Sequence, residues 1–419
     1  MKKVITLSVI AFLWFSGLAA ADNHGTILNS LVAAALRDNP DLQEAKANWQ
    51  MYANRIIPAA SLDDPTLSLA FNNYPVDKFR ADETPMTGKV IKLSQKFPFP
   101  GKLAANEDAA RQFSLWYKGV YEDNRLALAH RVKDAYFELY YLNKAIEITD
   151  KNARLLQDFT KVTETRYEVG KGLQQDVLKA QVERSKLSDR LLTLAQKQKT
   201  TMARLNTLLN KPPDHKLPAI TVLSSKTFTL TVADIQRQAQ NKRPLFAAYK
   251  ALMARYKARI ALARLNYRPD FKVGLAYTFR EHTAADQGTD FAGIQFGMNL
   301  PIFTAKRDAA QAGAEAGLLM IRRRYESFRN QVKFEIDDAW RDIQKDHQQA
   351  DLYKNGIIPQ ASQTFEASIS AYQVGKVSFL TLLDNLMTLY RYEIDYHRTL
   401  SDSLRAMARL EAASGIKLI

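Results

Sequence analysis

The 419-residue chain has no cysteine. That excludes disulfide frameworks, thiolate metal sites, iron–sulfur clusters, cysteine nucleophiles and lipid attachment at an N-terminal cysteine. Sixteen glycines and 14 prolines are too few for a turn-rich, all-β protein. The six histidines, His24, His130, His215, His282, His347 and His397, are scattered, with no i, i+4 pair and no metal-ligand spacing. The sequence shows no phosphate-binding glycine loop, Gly-x-Ser-x-Gly elbow, paired catalytic carboxylate motif or ATPase signature. Neither an enzyme nor a cofactor is expected, and any energy must come from a partner. The nine methionines are dispersed, so no thioether track for Cu(I) is visible.

What is present is of ordinary globular composition, 46% hydrophobic and 25% charged. Base is in excess: 59 Lys and Arg against 44 Asp and Glu give +15 at pH 7. Such a balance suits nucleic acid or an anionic membrane surface, and the compartment decides between them. Lys2 and Lys3 form a positive start, Val4 to Leu18 a short apolar run, and Ala19-Ala20-Ala21 a small-residue cleavage site. This predicts a secretory signal peptide over residues 1–21. The competing reading, an uncleaved anchor, is disfavoured by the shortness of the run. Cleavage leaves the mature chain at +15 − 2 = +13. No later stretch reaches the ~18–20 apolar residues a membrane helix needs. Nucleic acid is not an expected partner of an exported chain, and the remaining charge reads as solvated helix faces.

The mature chain is written twice. Tyr167-Glu168-Val169-Gly170-Lys171 recurs as Tyr372-Gln373-Val374-Gly375-Lys376, and Met202-Ala203-Arg204-Leu205 recurs unchanged as Met407-Ala408-Arg409-Leu410. Pro40 likewise meets Pro244, Arg55-Ile56 meets Arg259-Ile260, Pro65 meets Pro269 and Pro98 meets Pro301. The near-constant offset predicts two repeats, residues 22–215 and 225–419, joined by a linker at 216–224.

Each half has the same internal order. Helical segments open it, Ile27–Asn39 and Leu42–Ala60 in the first, Val232–Gln240 and Leu245–Leu265 in the second. A pair of runs alternating with period two follows, predicting strands at about 65–73 and 89–97, then 270–279 and 292–300. In the clearest run, Phe271, Val273, Leu275, Tyr277 and Phe279 share one face and Lys272, Gly274, Ala276, Thr278 and Arg280 the other. Polar loops, Asn72–Gly88 and Glu281–Asp290, separate the members of each pair. Long proline-free stretches of good helix formers then begin at Gly101 and Ile302. At ~1.5 Å per residue the first gives a rod of about 100 Å. Turns are expected at Val169–Gly172 and Val374–Lys376.

Strands of about nine residues with one apolar and one polar face match outer-membrane spans, which take roughly 9–11 residues. Backbone groups in lipid must all be paired, so such a sheet has to close. Four strands cannot close, the smallest barrels having about eight. Several chains must contribute, and three give twelve strands. The competing reading is a soluble sheet packing its apolar face on helices.

The whole constellation resembles the TolC family of outer-membrane efflux ducts, over essentially the entire mature chain. Its most specific parts are Tyr167–Ala180 and Tyr372–Asp384, similar to the family's two periplasmic hairpin tips. Phe97-Pro98-Phe99-Pro100-Gly101-Lys102 is similar to the strand-to-helix junction of the cation-efflux branch. The resemblance implies a mainly α protomer with four membrane strands and long antiparallel periplasmic helices. It implies a homotrimer, with a twelve-stranded β-barrel in outer-membrane lipid continued by a twelve-helix α-barrel. It further implies an exit duct, docked through a periplasmic adaptor to an inner-membrane pump, of RND type or serving type I secretion, with heavy-metal cations as candidate cargo. Lys92, Lys96, Lys272 and Arg280 on the polar strand face sit awkwardly with cations.

Carried over by position, the resemblance places Asp384 at a pore-facing acidic position of the closed periplasmic aperture, with Thr381 at the companion position one turn earlier. It assigns Asp176 and Tyr372 to a lock between the tips. The arginine of that lock falls on Val377, beside Lys376. Adaptor docking falls on Val169, Gly170, Val374 and Gly375. Each residue also has an ordinary structural reading: Asp176 as a helix N-cap, Tyr372 as a packing aromatic, Asp384 as a solvated carboxylate. A different class of function fits the same helices, a periplasmic coiled-coil scaffold or adaptor that never enters the membrane.

Overall fold

The computed structural model describes residues 19–218, 220 and 230–418. The predicted leader lies outside the described residues except for 19–21, and most of the predicted linker at 216–224 lies outside them too. Helices α1 (Ala19–Asp38), α2 (Pro40–Asn54) and the short α3 (Ile56–Ala60) precede strands β1 (Thr66–Asn72) and β2 (Gly88–Phe97). Two longer helices follow, α4 (Lys102–Glu168) and α5 (Gln174–Leu208). The second half runs α6 (Val232–Lys242), α7 (Pro244–Leu265), β3 (Phe271–Phe279), β4 (Phe291–Met298) and α8 (Ala305–Leu352). A π-helical turn at Tyr353–Ile357 leads into α9 (Ile358–Gln373) and α10 (Phe379–Ser414). The protein is mainly helical with one small antiparallel sheet.

The π-helical turn has a local cause. Pro359 offers no N–H, and its ring would press on the carbonyl of Asn355 in a regular helix. Widening the turn just before it, where Gly356 also sits, relieves that clash. Its counterpart in the first half, the proline-free α4, runs unbroken for 67 residues.

The chain divides into two compact units. One consists of Ala45–Tyr121 and Leu245–Phe328 and contains the sheet. Strand order is β1-β2-β3-β4, antiparallel throughout. Register places Leu67, Leu93, Leu275 and Ile294 in one row across all four strands. The next row, on the opposite face, is Ser68, Lys92, Ala276 and Gly293. Below the strands, Lys102 donates to the carboxylate of Asp270 at 2.7 Å and to the Arg268 carbonyl at 3.0 Å. That ties the start of α4 to the entry of β3. Aromatic rings join the helices of this unit: Tyr52 stacks on Tyr117 at 4.1 Å, and Phe246 packs on Phe328 at 4.9 Å.

The other unit holds the chain up to Glu44, Glu122–Pro244 and Arg329–Ile419. Val132, Ala135, Leu205, Met407, Ala408 and Leu410 are fully or almost fully buried there. The repeated Met-Ala-Arg-Leu segments point their arginines at repeated aspartates. Arg204 meets Asp134 at 2.7 Å, and its mate Arg409 meets Asp338 at 3.5 Å and Asp342 at 2.6 Å. Arg405 adds bonds to Asp134 at 2.7 Å and to Glu138 at 2.9 Å. Burial alone would raise the Asp134 carboxyl, but the two arginines hold it below its ordinary range. Lys133 and Glu411 form a further buried ion pair.

Candidate functional site

Two surfaces carry the features singled out in the sequence, one in each unit. On the sheet, the apolar row is uncovered: Leu67 is 65% exposed, Leu275 53%, Ile294 68% and Phe296 78%. A soluble sheet would bury such a face, since each large aliphatic side chain left in water forgoes ~1.5–3 kcal/mol. The competing soluble-sheet reading is therefore disfavoured within this unit. On the polar face, Lys92 bonds to Gln295 and Lys96 stands directly opposite Lys272. The loops carry their own ion pairs, Arg280 with Asp286 and Lys78 with Glu83 at 2.8 Å. Among the described residues no helix is long and apolar enough to cross a membrane, which says nothing of a β-barrel.

The second surface is the pair of helical tips. Helices α4 and α9 end in the same backbone motif. The Lys171 N–H reaches the Arg166 carbonyl at 2.8 Å and the Gly170 N–H the Tyr167 carbonyl at 2.9 Å. In the second tip, Lys376 reaches Ala371 at 2.9 Å and Gly375 reaches Tyr372 at 3.1 Å. This is a Schellman ending, which needs a left-handed residue. Gly170 and Gly375 supply it at φ 70° and 75°, and a Cβ on either would meet no atom within 4 Å. The glycines are there for their backbone angle, and not for close packing. Beside them Val169 and Val374 are 61% and 68% exposed, so the four residues assigned to docking form two bare apolar turns.

The helices that leave the tips start differently. Ser378 caps α10, its hydroxyl accepting from the Thr381 N–H at 3.2 Å and lying 3.0 Å from the Thr381 hydroxyl. The cap of α5 is Leu173, whose side chain makes no cap bond. Asp176 is therefore not an N-cap. It occupies the third helical position of α5, as Thr381 does in α10, and its charge favours the helix N-terminus. Asp384 lies one turn beyond Thr381 and is exposed. Between the hairpins, Leu156, Ala180, Leu187, Phe365, Phe379 and Leu382 form a buried cluster against which Tyr372 packs.

Within the protomer Tyr372 is not joined to Asp176. Its carbonyl accepts from Arg166 Nη1 at 3.0 Å, and the same guanidinium lies 4.6 Å from its ring centroid. A cation at the C-terminal end of α9 also meets the helix dipole favourably. No hydrogen bond or ion pair involves the Asp176 side chain among the described residues. Arg166 was not singled out in the sequence. The signal for it lay one residue before the repeated Tyr-x-Val-Gly-Lys segments, where the first half has Arg166 and the second Ala371.

The sequence model of one family, the outer membrane efflux proteins, matches residues 31–211 and again residues 235–416. The chain belongs to the outer membrane efflux protein family. Membership places it in the outer membrane and among efflux channels. Over 403 residues it is 24% identical to the outer membrane efflux protein BepC of Brucella suis, a match covering 93% of this chain and 85% of that one. It is 22% identical over 398 residues to the cobalt-zinc-cadmium resistance protein CzcC of Cupriavidus metallidurans, covering 93% and 90%. The crystal structure of the outer membrane protein VceC from Vibrio cholerae matches the fold with a TM-score of 0.78 at 20% identity, covering 93% of this chain and 96% of that one. Efflux-family membership and the TolC-like fold are thus both established.

Proposed function

We propose that three copies of this protein form the exit duct of a tripartite efflux system, passively conducting substrates that an inner-membrane pump expels through a periplasmic adaptor. The observation that carries this reading is the sheet. Its strands are seven to ten residues long, one face is bare and apolar, and the outer edges of β1 and β4 have no partner strand among the described residues. Lipid covers such a face, and edges in lipid must be paired. A three-fold arrangement supplies both and gives twelve strands, with the helices continuing into the periplasm.

In this reading the bare turns at Val169-Gly170 and Val374-Gly375 dock the adaptor. Asp384, with Thr381 one turn earlier, lines the periplasmic aperture. Tyr372 takes part in holding the tips closed, through Arg166 inside the protomer, while Asp176 is available to a neighbouring copy. The pump is of the RND type and selects the cargo. CzcC is a cobalt-zinc-cadmium resistance protein, which makes metal cations candidate cargo here; Lys92, Lys96 and Lys272 on the polar strand face favour anions. The duct performs no catalysis and needs no cofactor.

Mass measurement of the detergent-extracted mature protein tests the assembly, with conductance in a planar bilayer as the functional readout. A trimer that conducts is the expected result. A monomer that stays soluble without detergent would overturn the reading in favour of a periplasmic scaffold.

A further inference from the structure

The basic excess of the chain has one local concentration that the duct does not explain. In the sheet-bearing unit, α2 with the turn after it, α4 and α7 border an open cavity of about 450 Å³, lined by Tyr52, Arg55, Phe113, Arg255 and Arg259 around the small side chains of Ala109 and Ala110. No aspartate or glutamate lines it. Among the described residues none of the three arginines forms an ion pair, although Lys102 in the same unit has Asp270 at 2.7 Å. The guanidiniums lie on rings instead. Arg255 Cζ is 3.4 Å from the Phe113 centroid, and Arg55 Cζ is 5.0 Å from that of Tyr52. Those rings are fixed: Tyr52 lies parallel to Tyr117 at 4.1 Å and edge-on to Phe113 at 4.6 Å.

Arg255 is only partly exposed. Burial first, then the neighbouring charge of Arg259, pushes its guanidinium below the usual range. A partly desolvated cation beside a like charge is costly without a counter-ion. The arginine fork matches carboxylate and phosphate oxygens in pairs, and the rings offer an apolar wall next to it. Arg55 and Arg259 occupy equivalent positions in the two halves, so the duplication itself brings two of the three arginines to one cavity.

We propose that this cavity binds an organic anion, its carboxylate or phosphate held by Arg55, Arg255 and Arg259 and its apolar body resting on Tyr52 and Phe113. The site is built within one protomer and does not depend on the trimer or on conduction. Two sources present this chemistry, a phospholipid headgroup and a soluble anion.

Titration calorimetry of the full-length protein in neutral detergent, with phenyl phosphate as the probe, tests the site. Saturable binding is expected, several-fold tighter than that of inorganic phosphate because the ring adds apolar contact. Arg255→Gln should weaken it at least ten-fold, Arg55→Gln and Arg259→Gln each by a smaller factor, and Arg237→Gln on α6 not at all. Arg255→Lys keeps the charge and loses the fork, so a weakening several-fold short of the glutamine effect is expected even if Arg255→Gln folds poorly. Displacement of the probe by dihexanoyl phosphatidylglycerol identifies the lipid source, and its absence the soluble one. No saturable binding, as when a carboxylate of a second copy fills the cavity, overturns the proposal. So does binding that Arg55→Gln and Arg259→Gln both leave intact.

Discussion

Arg166 donates to the carbonyl of Tyr372 at 3.0 Å while its guanidinium lies 4.6 Å from the ring of the same residue. One side chain thus joins the ends of α4 and α9, 206 residues apart in sequence. The contact uses the backbone and the face of the ring and leaves the phenol hydroxyl out.

That division gives the first prediction. Arg166→Ala removes a charged hydrogen bond and a cation–π contact, together about 1–2 kcal/mol at a partly exposed site. Faster amide hydrogen exchange at residues 371–376 and a higher conductance are expected. Tyr372→Phe keeps both contacts and should leave exchange unchanged. Equal loosening by Tyr372→Phe would instead assign the lock to the hydroxyl, and hence to a partner such as Asp176 from another copy.

Asp384 supplies the second. In the proposed trimer, three Asp384 carboxylates around the axis would concentrate cations and repel anions. Asp384→Asn should weaken cation preference and lessen block by divalent or trivalent ions added from the periplasmic side in single-channel recordings. If selectivity and block are both unchanged, Asp384 is a surface residue away from the aperture.

The third concerns the packing of α7 on α8. A Cβ at Gly317 would lie 2.1 Å from a ring carbon of Tyr256. In an open helix Gly→Ala stabilises by roughly 0.5–1 kcal/mol. Here overpacking of about 1–3 kcal/mol outweighs that gain, because a whole ring has to move. Gly317→Ala should lower the thermal midpoint, and Tyr256→Ala in the same chain should turn the substitution neutral or favourable. A stabilising Gly317→Ala single variant would show that the ring has room to swing aside.

The fourth follows from His397, whose Nδ1 lies 3.0 Å from the Tyr140 hydroxyl. Burial first, with the charge of Lys144 adding to it, pushes the imidazole down to about 4, and burial pushes the Tyr140 phenol up to about 12. The folded protein thus holds His397 neutral where the unfolded chain, titrating near ~6.5, takes up a proton. Between those two values the unfolded state binds more protons. The contribution is therefore fully present above about pH 6.5 and lost progressively as the pH falls toward 4. Histidine-labelled NMR should show His397 titrating near 4. A midpoint close to 6.5 would mean that water reaches the ring.

Much of this architecture is legible in the sequence because its signals are local. Period two at Phe271–Phe279, helix formers from Lys102 onward, and proline at Pro98, Pro100 and Pro301 each act within a few residues. The duplication doubles every one of them. The two glycine turns are legible for the same reason, since a left-handed residue after a helix is a requirement of the backbone and not of the neighbours. What the sequence leaves open is which side chains meet across elements. Tyr372 is held by Arg166 only because two hairpins pack in one register, and no pattern in either segment fixes that register. The row of Leu67, Leu93, Leu275 and Ile294 depends likewise on how strands from both halves align. Arg55, Arg255 and Arg259 look like solvated helix charges until the turn after α2 and helix α7 bring them beside α4 around one open cavity. Sequence alone determined the elements, their order and their repetition, because backbone preference and hydrophobic period act over a few residues. The contacts were decided by tertiary structure, because they depend on the relative register of segments up to two hundred residues apart.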